Sequence, residues 1–420
     1  MTVALPRADW RVGARMLRLK LRSMMLAALA TAALAAPANA AVPCRNNTGS
    51  FERWLDGFKQ EAAAQGISRA AISAGLDGMT FDQAIINRDH GQGVFQQTFL
   101  QFSDRMVSRD RLQTGPRLMQ KHAALFARID QQYGVPAPVL VAFWGLESDF
   151  GTNNGRYPIL RAVATLAYDC RRPEFFRTQL FDALRIIERG DLAPSEMIGD
   201  WAGELGPMQF TPSDYYKYAV DFDGDGRRDL VHSVPDTLAS AANFLVGLGW
   251  RRGEPWLQEV RVPPELRWEE ADLSIKHPRS EWGRWGVTSA DGRPLPADNL
   301  PASLLLPMGR FGPAFLAYPN FQAFLGWNSA FVYATTAAYL ATRLAGAPPI
   351  HRGSGTVVPL STSQMLELQQ LLARRGYLSG QLDGKLGLTT RAAVRQAQLK
   401  LGMPADSYPT MELIHRLRGL

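Results

Sequence analysis

The stretch Val139-Leu-Val-Ala-Phe-Trp-Gly-Leu-Glu-Ser-Asp-Phe-Gly151 constrains this chain more than any other. Pro136 and Pro138 precede and open it, and both suit the first turn of a helix, where no backbone N–H is needed. Apolar residues at Val139, Leu140, Phe143, Trp144 and Leu146 then follow a helical pattern with a broad buried face, and Gly151 is a natural stop. Glu147 lies near the C-terminal end of that helix, among Phe143, Trp144 and Phe150. Apolar neighbours disfavour a carboxylate, as does the negative end of the helix dipole. Glu147 is therefore expected to hold a proton near neutral pH, as a general acid must. The alternative is a half-buried glutamate paired with Arg156 or Arg161.

With 420 residues, of which 46% are hydrophobic, the chain has the size of two or three domains with an ordinary core. Its net charge of +7 is unevenly placed. Residues 1–40 carry six basic side chains and one acid, so most of the excess lies in the leader and no nucleic-acid partner is expected. That leader reads as a secretory signal. A basic segment ends at Arg22, an apolar run follows from Met24 to Ala36, and Pro37-Ala-Asn-Ala40 supplies the cleavage site. Met16 is an alternative start, and a lipid anchor at Cys44 an alternative reading. Export to an oxidising compartment predicts a disulfide between Cys44 and Cys170, against the alternative of two separate thiols.

Residues 50–130 read as helices, with stripes such as Phe51, Trp54, Leu55 and Phe58. Helical patterns resume over Ile159 to Ala167, Phe175 to Glu188 and Pro235 to Gly249. The pair Arg171-Arg172 is either a receiver of anionic groups or an ordinary surface pair. In Gly199-Asp-Trp-Ala-Gly-Glu-Leu-Gly-Pro-Met-Gln209, Gly203 and Gly206 permit close backbone approach to a ligand, and the Gln209 amide offers both a donor and an acceptor.

The loop Asp221-Phe-Asp-Gly-Asp-Gly-Arg-Arg-Asp229 has the spacing of a Ca²⁺ loop. Asp221, Asp223, Asp225 and Asp229 occupy the ligand positions, and Arg227 offers its carbonyl. His232 stands where a bidentate Glu is expected, so Asp236 is the candidate for the missing carboxylate. An acidic turn without metal is the alternative. Any calcium here is expected to be structural, and no cofactor is expected for catalysis.

Residues 251–312 are rich in Pro, Trp and Gly, with alternating runs at Leu257 to Val262 and Ser303 to Leu306. They predict a small β-containing insertion, in which Trp268, Trp282 and Trp285 either stack on sugars or fill a core. Phe324 to Leu344 reads as the last helix of this unit. A Pro/Gly/Ser-rich linker follows over 346–360, then a module over 361–420 with eight basic and four acidic residues. Two independently folding units are expected. Removing the second should leave the first intact and working.

Four motifs occur in order: Glu147-Ser-Asp-Phe-Gly151, Gly206-Pro-Met-Gln-Phe-Thr-Pro-Ser213, the acidic loop, and Gly326-Trp-Asn-Ser-Ala-Phe-Val-Tyr333. Together they resemble the B-type lytic murein transglycosylases, whose catalytic core is like goose lysozyme. The last 60 residues closely resemble the three-helix peptidoglycan-binding module of cell-wall enzymes. The resemblance implies a mainly α fold: a lysozyme-like helical catalytic domain over 41–345 with its β-containing insertion, and a separate three-helix domain.

It also implies periplasmic cleavage of the β-1,4 bond between N-acetylmuramic acid and N-acetylglucosamine, leaving 1,6-anhydromuramic ends. Glu147 would be the catalytic acid and base, with Gln209, Asn328 and Tyr333 on the substrate. Asn328 is alternatively a helix cap. The family usually has Ser where this chain has Asp200, so Asp200 is either a second acid or a hydrogen-bonding substitute. Arg172 is the candidate for stem-peptide carboxylates. Peptidoglycan strands are the expected partner and cell-wall synthesis or remodelling proteins are further candidates; a monomer is expected. The competing functions are a hydrolytic muramidase and a non-catalytic wall-binding scaffold.

Overall fold

The computed structural model describes residues 49–91 and 97–419; the leader and Cys44 lie outside them. The helix at the centre runs Ala137–Ser148, with Pro138 in its first turn. All ten residues from Val139 to Ser148 are buried, so the helix is apolar all round and belongs to the core rather than to a surface. It does not run on to Gly151. Asp149 and Phe150 turn left-handed, at φ 49° and 61°, and Gly151 follows at 85°.

Phe51–Ala64, Arg69–Leu76, Gln83–His90, Phe99–Met106, Arg109–Lys121 and Ala123–Tyr133 precede it in the chain, and the last two pack against it. Ile159–Tyr168, Pro173–Glu188, Pro212–Tyr218 and Val234–Gly247 follow it. The predicted last helix is two helices, Phe321–Trp327 and Phe331–Leu344. Asn328 breaks it with an extended backbone, and its Oδ1 accepts the Ala330 N–H at 3.0 Å. Ala334, Ala337, Ala338 and Ala341 on the second piece are fully buried. Their small side chains let Phe331–Leu344 pack closely on the central helix.

The insertion is a five-stranded antiparallel sheet in the order His277–Pro278, Pro301–Leu305, Ala314–Ala317, Leu257–Arg261, Thr288–Ser289. Its register sets Leu257 opposite Ala317 and Leu304 opposite Leu316. Trp282 is fully buried in this unit's own core, with Nε1 donating to the Ala302 carbonyl at 2.9 Å, and Trp285 packs edge-on against it. Of the two readings for these tryptophans, Trp282 follows the core-filling one.

The C-terminal module has helices Thr362–Arg374, Leu388–Lys400 and Met411–Arg418 around a core that includes Leu368, Leu372, Val394 and Ile414. Ser361 and Gln364 form a reciprocal cap at its start. Residues 346–360 hold no helix or strand but are not loose. Ile350 N–H donates to the Tyr339 hydroxyl, His351 N–H to Glu259, and Ser354 N–H to the Phe311 carbonyl. Among the described residues no helix is long and apolar enough to cross a membrane.

Candidate active site

Glu147 is only 7% exposed. Two donors converge on its Oε1, the Trp327 indole Nε1–H at 2.7 Å and the Tyr333 hydroxyl. Each comes from one side of the Asn328 break, so the break aims both side chains at one oxygen. The Trp327 ring stacks on Phe143 with centroids 4.3 Å apart and meets Phe244 and Phe210. Trp327 lies inside a quoted motif, yet sequence reasoning chose its neighbour Asn328. A buried indole was indistinguishable from core.

The turn after Glu147 is fastened from two sides. The Ser148 hydroxyl donates to the Pro207 carbonyl at 2.6 Å and accepts the Gly151 N–H at 2.8 Å. Arg111, which sequence reasoning did not single out, donates to the Gly145 carbonyl through Nε and the Met106 carbonyl through Nη1, each at 2.8 Å. Its Nη2 pairs with Asp149 at 2.6 Å. A guanidinium at a helix C-terminus suits the helix dipole. No local pattern could have announced Arg111, since it lies 34 residues from Gly145.

Gln209 is buried in a left-handed conformation, φ 49°. Its Nε2 donates to the Gly206 carbonyl at 2.8 Å. Leu205 and Phe210 exchange both backbone hydrogen bonds, which closes a tight hairpin around Gly206 to Gln209. Left-handed non-glycine residues cost about 1–3 kcal/mol each and gather where geometry is over-determined; Asp149, Phe150 and Gln209 are three of four among the described residues. Gly206 has a different role from the one expected. A Cβ there would lie 2.0 Å from the Leu230 carbonyl oxygen, so the glycine admits the protein's own backbone rather than a ligand.

Asp200 caps a turn. Its Oδ1 accepts the N–H groups of Ala202 at 2.8 Å and Glu204 at 3.0 Å. Burial pushes its carboxyl up to about 6, against the pull of those backbone donors. Arg172 turns inward, its Nη2 lying 2.8 Å from the buried Asp89 beside Arg171. Its guanidinium is thus engaged with a carboxylate of the protein, as a buried carboxylate needs a cation. Cys170 is disulfide-bonded, and Cys44 lies outside the described residues.

In the acidic loop, Asp221, Asp223 and Asp236 bring carboxylate oxygens within 4.8 Å of one another. Asp236 is fully buried and accepts the N–H groups of Phe222, Asp223 and Asp229; burial raises its pKa above the ordinary value. Asp225 and Asp229 do not join the cluster. Asp225 accepts the Arg227 N–H, while Asp229 accepts the N–H groups of Val231 and His232 and lies 3.0 Å from the His232 ring. The Arg227 side chain reaches away, to Asp191 and Glu196. The three gathered carboxylates, one of them buried, suit a divalent cation that prefers oxygen ligands.

A lysozyme-like helical domain built around one buried glutamic acid, with a three-helix module behind it, is the class these elements define. The chain belongs to the SLT-domain transglycosylase family: the Transglycosylase SLT domain matches residues 50–342, and a peptidoglycan binding domain matches residues 361–417. It is 30% identical over 237 residues to membrane-bound lytic murein transglycosylase B of Escherichia coli, a match spanning 56% of this chain and 64% of that relative. The solved structure of SltB3 from Pseudomonas aeruginosa, in complex with NAG-anhNAM-pentapeptide, is 42% identical. It superimposes with a TM-score of 0.81 over 88% of this chain and 99% of that one. The Escherichia coli lytic transglycosylase SLT35 in complex with calcium is 27% identical, with a TM-score of 0.59 over 69% of this chain and 92% of that one.

Proposed function

We propose that this chain is a periplasmic lytic transglycosylase that cleaves the β-1,4 bond between N-acetylmuramic acid and N-acetylglucosamine without consuming water. The carrying observation is the buried carboxyl of Glu147 with two donors on one oxygen. In this reading the Glu147 carboxyl carries the transferable proton, and Trp327 and Tyr333 hold the carboxyl in place through Oε1. That proton passes to the glycosidic oxygen as its bond to the muramyl C1 breaks. The resulting carboxylate then takes the proton of the C6 hydroxyl as O6 bonds to C1, closing the 1,6-anhydro ring and restoring the acid.

A hydrolase of the usual kind needs a second carboxylate at the sugar. Asp149 is paired with Arg111 and Asp200 is bound into its own turn, which favours the intramolecular route. The anhydro-sugar ligand bound by SltB3 supports the same reading. Gln209, Asn328 and Tyr333 border the site as the substrate-facing set. Calcium in the related SLT35 and the Asp221, Asp223 and Asp236 cluster support a structural Ca²⁺ site.

Mass spectrometry of products released from purified sacculi tests the proposal. Anhydro ends, one water lighter than reducing ends, are expected, and the Glu147→Gln variant should release at least about 10²–10⁴-fold less. Reducing ends would assign a muramidase instead, and no release a binding scaffold.

A further inference from the structure

We propose that the C-terminal module is a docked part of the catalytic unit, and that Arg391 is a positioning residue for the helix carrying Tyr333. This rests on the reading of Glu147 and Tyr333 as the active site.

Arg391 belongs to the module, yet both of its Nη groups donate to the catalytic unit. It is 6% exposed. Nη1 donates to the Leu306 carbonyl at 3.1 Å and Nη2 to the Pro307 carbonyl. Its flat face lies 4.3 Å from the ring centroid of Phe331. Burial lowers its pKa to about 10, so it stays charged at neutral pH. A buried cation is costly unless its donors are satisfied, and here two carbonyls on the Nη groups and the aromatic face offset part of that cost, while Nε is left without a partner.

A second set of contacts fixes the same approach. Asp406 uses Oδ1 within the module, accepting from Gln398 and Tyr408, and Oδ2 across the boundary, accepting the Arg310 N–H at 3.0 Å. Gly309, at φ 72°, leaves room for this. A Cβ there would lie 2.7 Å from Tyr408 Cβ and 2.9 Å from Asp406 Oδ2. Tyr408 packs with the core of the catalytic domain rather than with that of the module. Arg395 reaches the Glu269 carbonyl.

The position of Phe331 gives this docking its consequence. Phe331 is the first residue of Phe331–Leu344, and the residue before it, Ala330, supplies no side-chain cap. An uncapped helix start frays unless tertiary packing holds it. Arg391 covers that first turn, and Tyr333, two residues on, sends its hydroxyl to Glu147. The module thereby steadies a donor of the catalytic carboxyl, with no substrate contact of its own. This reverses the expectation from linker composition that removing the module spares the cleft.

The test uses the full-length protein with Arg391→Met and Arg391→Lys. Two readouts are taken: turnover of a short soluble muropeptide, and backbone hydrogen exchange over residues 331–336. Arg391→Met is expected to lower kcat about tenfold at nearly unchanged KM and to speed exchange in that first turn. Arg391→Lys, which keeps the charge, should recover part of both. Wild-type kcat and wild-type exchange in a folded Arg391→Met protein would overturn the inference, as would equal losses in both variants confined to KM. The exchange arm is independent of activity. Faster exchange alongside an inert wild-type enzyme would therefore sink the functional reading while sustaining the docking.

Discussion

Trp327 and Glu147 meet at 2.7 Å although 180 residues separate them along the chain. The contact joins the end of the helix Phe321–Trp327 to the end of the central helix. Because indole N–H can only donate, Oε1 of Glu147 accepts in this contact. Tyr333 reaches the same oxygen from the far side of the Asn328 break.

Tyr333→Phe removes one of these donors and leaves the ring. Turnover should fall about tenfold, the equivalent of about 1.4 kcal/mol in the barrier. The melting temperature should change little, since one hydrogen bond contributes about 0.5–1.5 kcal/mol net. Steady-state kinetics alongside a thermal melt would check this. Unchanged kcat would show that the Tyr333 donor is dispensable.

Arg111→Met should destabilise the protein by about 2–4 kcal/mol. It strands the Gly145 and Met106 carbonyls and releases Asp149 from its left-handed turn. Because that turn follows Glu147 directly, kcat should fall as well. Arg111→Lys should recover charge but not the three-way fork, and so only part of the stability. Denaturant midpoints would rank the three proteins.

Asp200 predicts a pH dependence of unusual sign. Its folded carboxyl titrates at about 6, above the ordinary 3.8. The unfolded chain therefore loses its proton first as pH rises. The destabilisation is absent below about 3.8, builds between 3.8 and 6, and is full above 6. Asp200→Asn keeps an Oδ1 acceptor for Ala202 and Glu204 without the charge. Its stability advantage should grow from pH 4 to 6 and then level off, at on the order of 1–3 kcal/mol. Melting curves at each pH would show it, and an advantage that stays flat with pH would exclude the mechanism.

Calcium should raise the melting temperature, through the cluster of Asp221, Asp223 and Asp236. A ligand at a hundred times its Kd adds about 2.7 kcal/mol to the folded state. Asp221→Asn should remove most of the shift. Calcium titrations and a chelator control measure it. If chelation abolished activity without lowering stability, a structural role would be wrong.

Local features of the chain were legible without the fold. Pro138 and the apolar run around Glu147 announced the central helix, and the Pro/Gly/Ser-rich linker announced the start of the module. Strands near Leu257 and Ser303 were readable from their alternation. The motif around Gly206 marked the right segment but the wrong reason, because the carbonyl that requires a glycine there belongs to Leu230. The linker composition suggested independence between the two units. Its residues are instead hydrogen-bonded down, and the module's Arg391 is buried against Leu306, Pro307 and Phe331.

The sequence by itself determined most of the helices, the insertion and the module, and it singled out Glu147 as the candidate acid. These depend on neighbours three or four residues away, or on alternation along a strand. The tertiary structure alone decided that Trp327 and Tyr333 converge on one oxygen of Glu147, that Arg111 staples the turn behind it, and that Arg391 covers the first turn of the Tyr333 helix. Each of these joins groups that are distant in sequence, and periodicity carries no information about which distant groups meet. Burial decides it, because a buried carboxyl or guanidinium is stable only where the folded chain brings it donors or acceptors.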